Sequence, residues 1–219
     1  MAEKFIFPSS SASNLPLQEN HKRLTGYYQL HAKIYDATRW SFLFGRTAII
    51  NSLFGRVHAT QILEVGCGTG KNLLALATAF PEAELTGVDL STDMLTVAQR
   101  TLAAHSPRIH LRHEPYQAAL DKRPRYDLIL FSYSLTMFNP GWEAAIADAY
   151  TDLHLGGTIA VVDFHATAFP PFARWMAVNH VRMDGHLLPY LKEHFSPLAC
   201  EVAPAYGGIW HYLLFLGQK

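Results

Sequence analysis

The stretch ILEVGCGTGKN, residues 62–72, sets Gly66, Gly68 and Gly70 at alternate positions behind an apolar run that reads as a strand. Glycine at such a junction permits a tight turn and lets backbone amides approach a ligand, while the helix that follows offers unpaired donors at its N-terminus. Alone, this is the chemistry of docking a nucleotide-like molecule. Two spellings fail on their letters. A GxGxxG dinucleotide fingerprint starting at Gly66 needs glycine where Lys71 stands. A P-loop ending at Gly70 and Lys71 needs glycine in place of Val65 and Ser or Thr in place of Asn72. What remains is acidic-x-GxGxG, with Glu64 two positions before Gly66.

The elements that must hold this loop follow from the pattern around it. From Gln61 onward, short apolar runs alternate with helix-length segments, as in a parallel sheet covered on both faces. The expected strands are 61–66, 84–89, 108–114, 126–133 and 157–165, with helices near 71–80, 92–104 and 141–154. Ser91 or Thr92 is placed to cap the second helix, with Asp93 near the positive end of its dipole. Gly156 and Gly157 mark where the third should stop. Two further strands, 197–203 and 211–218, joined by PAYGGIW, predict a hairpin and an antiparallel last strand. The sum is an α/β chain with a Rossmann-like, doubly wound, seven-stranded sheet. Its domain is expected over 59–219.

Composition narrows the partners. Of 219 residues, 49% are hydrophobic, enough for one sizeable core. Eighteen basic and eighteen acidic residues cancel, so no global field draws the chain to nucleic acid, and no NPPY-like or catalytic cysteine motif is present. The dipeptide Asn139-Pro140 falls after the strand end and reads as the start of a helix. Cys67 and Cys200 form neither a metal spacing nor a disulfide framework, which suits a reducing, cytoplasmic setting. Twelve histidines raise the question of a metal, but His110 and His113 point to opposite faces of a strand and there is no HExxH, so no metal is expected. Residues 1–20 read as a frayed polar terminus, and no stretch reaches the about 18 apolar residues of a spanning helix.

The acidic-x-GxGxG arrangement resembles motif I of class I S-adenosylmethionine-dependent methyltransferases, and the likeness runs through most of the chain from about residue 60. The resemblance implies S-adenosylmethionine as donor, S-adenosylhomocysteine as product, and no metal. It places Glu64, Gly66, Cys67, Gly68 and Gly70 around the methionine end of the donor. Asp89, closing the second strand, would accept both ribose hydroxyls, and Leu90 and Met94 would flank the adenine. Glu114 stands where the family carries an acid near the adenine amino group, although Pro115 replaces the usual small neighbour. For each glycine the plain alternative is an ordinary turn, and for Asp89 a helix cap.

The acceptor must enter from the carboxyl ends of the strands, so residues 131–142 and 162–166 are the segments to search. Ser132, Tyr133 and Ser134 leave the fourth strand facing the donor, followed by Met137, Phe138 and Trp142. Upstream, YYQLHAKIYDATRWSFLFGR (27–46) forms a basic, aromatic arm. If 22–36 is helical, Tyr28, His31 and Tyr35 share one face. The family resemblance implies that residues 21–58 form a helical lid and substrate arm. More narrowly, Tyr35, Asp36, Arg39, Trp40 and 42–46, with 131–133, Met137 and Trp142, resemble the N-methyltransferase of betaine-lipid synthesis, which trimethylates the amino group of diacylglyceryl homoserine.

That chemistry asks little of the protein. An unprotonated amine attacks the methyl carbon, and His165 or water takes the proton. The growing fixed cation would be held by faces of Tyr28, Tyr35, Tyr133 and Trp142, with Trp210 and His211 as further candidates, at about 0.5–2 kcal/mol per contact. Arg39 either pairs with a substrate carboxylate or with Asp36 on its own helix turn. Residues 167–195 carry Phe169, Phe172, Trp175 and Met176 near Arg174 and Arg182. They form a second wall of the site, a peripheral contact at the inner membrane face, or a helix packed on the sheet. Two other functions stay open: the same donor used on a quinone, phenol or soluble amine, and a non-catalytic donor-binding module.

Overall fold

The computed structural model describes residues 43–118 and 123–219. The arm residues Tyr28, His31, Tyr35, Asp36, Arg39 and Trp40, and the frayed terminus over 1–20, lie outside the described residues. Residues 43–58, grouped with the arm from sequence, belong to the same compact unit as the rest of the described chain.

The sheet has seven strands, in spatial order β3 (Ile109–His113), β2 (Glu84–Asp89), β1 (Gln61–Val65), β4 (Tyr126–Ser132), β5 (Leu153–Ala166), β7 (Trp210–Gln218) and β6 (Ser196–Ala205). The first five are parallel, and β7 runs antiparallel to both β5 and β6. Strand order reverses between β1 and β4. A ligand crevice therefore opens there, above the carboxyl ends of both strands.

Burial explains why the central runs are apolar throughout. Helix α4 (Trp142–Asp152) and helix α6 (Leu187–His194) cover one face, where Val65, Phe131, Ile159, Val161, Leu213 and Phe215 meet Trp142, Ile146, Leu187 and Leu191. Phe131 is wholly buried there, so Phe131→Ala should cost about 3–5 kcal/mol. Helix α1 (Arg46–Leu53) buries Ile49, Ile50 and Leu53 and packs on α2 (Lys71–Ala79). Helix α3 (Thr92–Thr101) begins as expected: the Ser91 hydroxyl accepts the Met94 amide at 3.3 Å, and Asp93 sits in its first turn.

One boundary differs. Helix α4 stops at Asp152 and β5 begins at Leu153, ahead of the glycines expected to end the helix. Pairing decides it: Leu153, fully buried, aligns with Tyr126 of β4, and the Arg125 amide reaches the Asp152 carbonyl at 2.7 Å. Gly156, at φ 81°, instead sits within β5, near a register shift against β4. The hairpin turn is a short 3-10 segment, Tyr206–Gly208, with Gly207 at φ 68°.

The 167–195 segment folds as α5 (Pro170–Val178) and α6. Only Met176 of α5 is buried, whereas Phe169, Trp175 and Val178 are 54%, 52% and 73% exposed. The plain reading of this stripe, a helix packed on the sheet, fits α6 but not α5. Among the described residues no helix is long and apolar enough to cross a membrane.

Candidate active site

The glycine loop is built against the end of β2. The amides of Gly66 and Cys67 both donate to the Val88 carbonyl at 2.8 and 3.1 Å, and the Gly68 amide donates to Asp89 Oδ2 at 2.8 Å. The other carboxylate oxygen, Oδ1, accepts the Ser91 amide at 2.9 Å. These amides are thus engaged within the protein, unlike the ligand-facing amides expected from sequence. The loop contributes shape, and it fixes Asp89.

Two of the glycines answer to their neighbours. A Cβ on Gly66, at φ 75°, would lie 2.8 Å from Ser134 Cβ, and one on Gly70, at φ 77°, would lie 2.9 Å from Leu102. Cys67 turns its thiol into the core, where Sγ lies 2.9 Å from where a Cβ on Gly87 would sit. Burial, reinforced by the carboxylates of Glu64 and Asp89, pushes that thiol far above its ordinary range. Cys67 thus belongs to the loop by its backbone alone.

Glu64 is buried beneath the loop and its Oε1 accepts Asn72 Nδ2 at 2.7 Å. Asn72 Oδ1 in turn accepts Arg46 Nε at 2.9 Å, so a cation on α1 reaches the motif acid through an amide on α2. Asn72 entered the sequence argument only as the residue that excluded a P-loop, and no spacing rule marks this chain.

Asp89 is half-buried, and a carboxylate has room for about four hydrogen bonds, so two remain for hydroxyls after the two amides. Beside it, Leu90 is 66% exposed and Met94 is buried at the start of α3. A cavity of about 690 Å3 opens here, lined by Gly66, Leu90, Glu114, Tyr116, Met137 and Phe138 among others, which is of ligand-pocket size. Glu114 lines it while paired at 2.5 Å with Arg112, both half exposed. An adenosine-like group fits what these residues offer: a fixed carboxylate, an uncovered leucine and an acid at the rim.

The loop after β4 supplies the other wall. Ser132 Oγ is buried without a hydrogen-bond partner, and Ser134 Oγ donates to the Val65 carbonyl at 3.0 Å. Tyr133 adopts φ 55°, donates its hydroxyl to the Phe44 carbonyl at 2.7 Å, and meets Phe164 edge-on at 4.8 Å. Burial, with Asp163 near by, raises its phenol beyond the ordinary tyrosine range. Tyr133 is therefore a buried post joining β4 to the segment before α1.

Trp142, expected among the aromatic walls, is a correction. It is buried in the α4–α6 packing, with His186 and Tyr190 against its ring at 4.8 and 5.0 Å. Facing the core is what an apolar residue at the first position of an amphipathic helix does. Trp210 is likewise core, packed on Phe44, Phe164 and Tyr212.

Asp163, unremarked in the sequence, is fully buried on β5 under this loop. It accepts the Thr136 hydroxyl, the Thr136 amide at 3.2 Å and the Phe164 amide at 2.8 Å. Burial pushes its carboxyl up to about 6 despite those donors. Two residues on, His165 is half-buried at the carboxyl end of β5, and the Gly185 amide donates to its carbonyl at 2.8 Å. Next to it His186 Nδ1 lies 2.5 Å from Asp184 Oδ1, and Asp184 Oδ2 accepts Arg182 Nε at 2.7 Å. Among the described residues no group of three His, Cys, Asp or Glu side chains could hold a metal ion.

Residues 62–157 match the family described as "Methyltransferase domain". The fold and the site together define a class I S-adenosylmethionine-dependent methyltransferase domain. Among curated relatives, malonyl-[acyl-carrier protein] O-methyltransferase of Priestia megaterium is 30% identical over 147 residues, covering 66% of this chain and 52% of the relative. The chain spans about half the length of the curated relatives it matches. Among solved structures, 1,6-didemethyltoxoflavin-N1-methyltransferase of Burkholderia thailandensis, with bound 1,6-didemethyltoxoflavin and S-adenosylhomocysteine, superposes with a TM-score of 0.67. It is 19% identical and covers 97% of this chain and 93% of that one. The N-methyltransferase NodS of Bradyrhizobium japonicum, in complex with S-adenosylhomocysteine, gives 0.65 at 18% identity, over 80% of this chain and 85% of that one. These likenesses support S-adenosylmethionine as the donor.

Proposed function

We propose that the protein transfers a methyl group from S-adenosylmethionine to the amino group of a homoserine-type lipid head group, ending in a betaine. The observation that carries the methyltransferase reading is the carboxylate of Asp89, tied to the glycine loop through Gly68 at the edge of a 690 Å3 cavity. Asp89 would hold the ribose, Leu90 and Met94 the adenine, with Glu114 at its amino edge. Gly66, Cys67, Gly68, Gly70 and Glu64 would shape the methionine end beside Ser132. The donor supplies a methyl on a sulfonium, a leaving group that needs no metal. The chain's task is then alignment and removal of one proton per transfer.

The lipid-linked acceptor draws its support from α5. That helix exposes Phe169, Trp175 and Val178 beside Arg174, and no acidic residue occurs from 167 to 183. Apolar rings with a cation and no anions suit an interfacial surface. Tyr28, Tyr35 and Arg39 complete the reading as head-group contacts, on the strength of the betaine-lipid resemblance. Labelled S-adenosylmethionine tested against diacylglyceryl homoserine, ethanolamine lipids, quinols and soluble amines decides the acceptor. Label in the homoserine lipid is expected, and label in a soluble acceptor alone defeats the lipid assignment.

A further inference from the structure

The carboxyl end of β5 holds more proton chemistry than one histidine. His186, preceding α6, has a side chain only 7% exposed, and its Nδ1 lies 2.5 Å from Asp184 Oδ1. Arg182 and the hydrogen bonds from His186 hold the Asp184 carboxyl below its ordinary range, even against partial burial, so it is ionised and can only accept. The shared proton therefore sits on His186 Nδ1. That leaves Nε2 as a lone-pair acceptor in a neutral ring, and Nε2 is buried with no partner. The edge-on Trp142 ring at 4.8 Å holds the imidazole plane.

His165 is the complement. Its Nδ1 is also buried without a partner, and its ring lies against Gly185, where a Cβ would come within 3.2 Å of Cε1 and 3.4 Å of Nε2. Gly185 follows Asp184, which bridges to Ala166, so the backbone pairing brings the two histidines to one place. One ring has an unfilled acceptor and the other can carry the missing donor. A buried polar atom without a partner calls for an explanation of this sort.

We infer that His165, His186 and Asp184 form a proton relay for the methyl-transfer reaction, with His165 Nδ1–H directed to His186 Nε2 and His165 Nε2 left as the lone pair that meets the acceptor. The inference rests on the methyltransferase reading and adds its proton path. As the acceptor nitrogen bonds to the methyl carbon, the carbon–sulfur bond breaks with its electron pair on sulfur. The proton on the new ammonium passes to His165 Nε2, and the Nδ1 proton moves to His186, whose cation Asp184 stabilises. Each later methylation of the same nitrogen releases a proton by the same route until none is left.

The surroundings keep both rings in the accepting state. Burial first, then His211 on β7 and His186, hold His165 below the ordinary histidine range. His186 is held down by burial and by Arg182, against the opposing pull of Asp184 and of Glu143 on α4. A neutral pair at neutral pH can receive a proton that a cationic pair would refuse.

Nitrogen-15 imidazole spectra of the full-length, donor-free protein test the pair without any assay of activity. The expected result is His186 protonated on Nδ1, with the His165 titration displaced in His186→Gln. His186 protonated on Nε2, or a His165 titration unchanged by that substitution, overturns the relay. The activity arm uses Asp184→Asn. Loss of the carboxylate weakens His186 as a base, so the acid limb of kcat/KM should move to lower pH while the plateau falls about 100-fold. S-adenosylhomocysteine affinity should stay unchanged. An unmoved limb with full donor affinity also overturns the relay, whereas failure to bind S-adenosylhomocysteine at all defeats the methyltransferase reading and leaves the spectra to decide the pair.

Discussion

The Gly68 amide donates to Asp89 Oδ2 at 2.8 Å, joining the loop after β1 to the end of β2. With the Ser91 amide on the other oxygen, the carboxylate is held in place before any sugar arrives. Fixing a group in its binding geometry beforehand removes an ordering cost from association.

Asp89→Ala should therefore lose two hydroxyl contacts and the tether together. Hydrogen bonds to a charged group contribute about 1.5–3 kcal/mol, so S-adenosylhomocysteine affinity should fall about 100-fold or more by titration calorimetry. Affinity within about threefold of the parent, in a folded variant, would remove Asp89 from the donor site.

Gly66→Ala places a methyl 2.8 Å from Ser134 Cβ at a φ of 75°. Backbone strain alone costs about 1–2 kcal/mol, and the contact adds to it. Chemical denaturation should show the loss, and Ser134→Gly in the same chain should recover the steric part but not the strain. Full recovery would show that φ at Gly66 is relaxed in solution.

Asn72→Leu should leave the Glu64 carboxylate buried without its amide donor at 2.7 Å. The expected cost is about 2–3 kcal/mol in unfolding free energy. A variant as stable as the parent would mean that the Arg46–Asn72–Glu64 chain carries no load.

The Asp163 carboxyl, pushed up to about 6 by burial, makes stability depend on pH in the direction opposite to a salt-bridged acid. The folded state binds the proton more tightly than the unfolded chain does. Its contribution is therefore most favourable below about pH 4 and falls as pH rises through 6, by about 3 kcal/mol in total. Asp163→Asn should remove that slope in denaturation curves recorded between these limits, while losing stability at neutral pH because its amide group meets the Thr136 N–H. An unchanged slope refutes the assignment.

Trp175→Ser, on the exposed face of α5, should weaken binding to anionic vesicles and slow methylation of a lipid acceptor by about tenfold. A soluble amine, if used, should be methylated as before. Equal loss on both acceptors would make α5 structural rather than interfacial.

Much of this was readable in the letters. Strand β2 has the bounds its apolar run implied, and Ser91 caps α3 because a hydroxyl there has an orphan amide to accept. The terminal hairpin followed from the shortness of PAYGGIW. What stayed hidden depends on partners distant in sequence. Gly156 and Gly157 carry the local sign of a helix stop, but pairing of Leu153 with Tyr126 ended the helix sooner. Trp142 looks like a site residue until α6 is seen to cover it, and Asp163 is one polar letter in an apolar strand whose donors come from Thr136 and Phe164. The Asp184–His186 pair lies in a stretch with no motif at all.

The place of β7 between β5 and β6 has a consequence for how the molecule is assembled. Residues 196–205 have no neighbour to bond to until 210–218 arrive, because β6 pairs with β7 alone. On the ribosome the five parallel strands can come together in order, whereas that edge must wait for residues 210–218 to clear the exit tunnel. Until then the flank of β5 stands open, and a helper protein that binds unpaired strand edges would find its opportunity there.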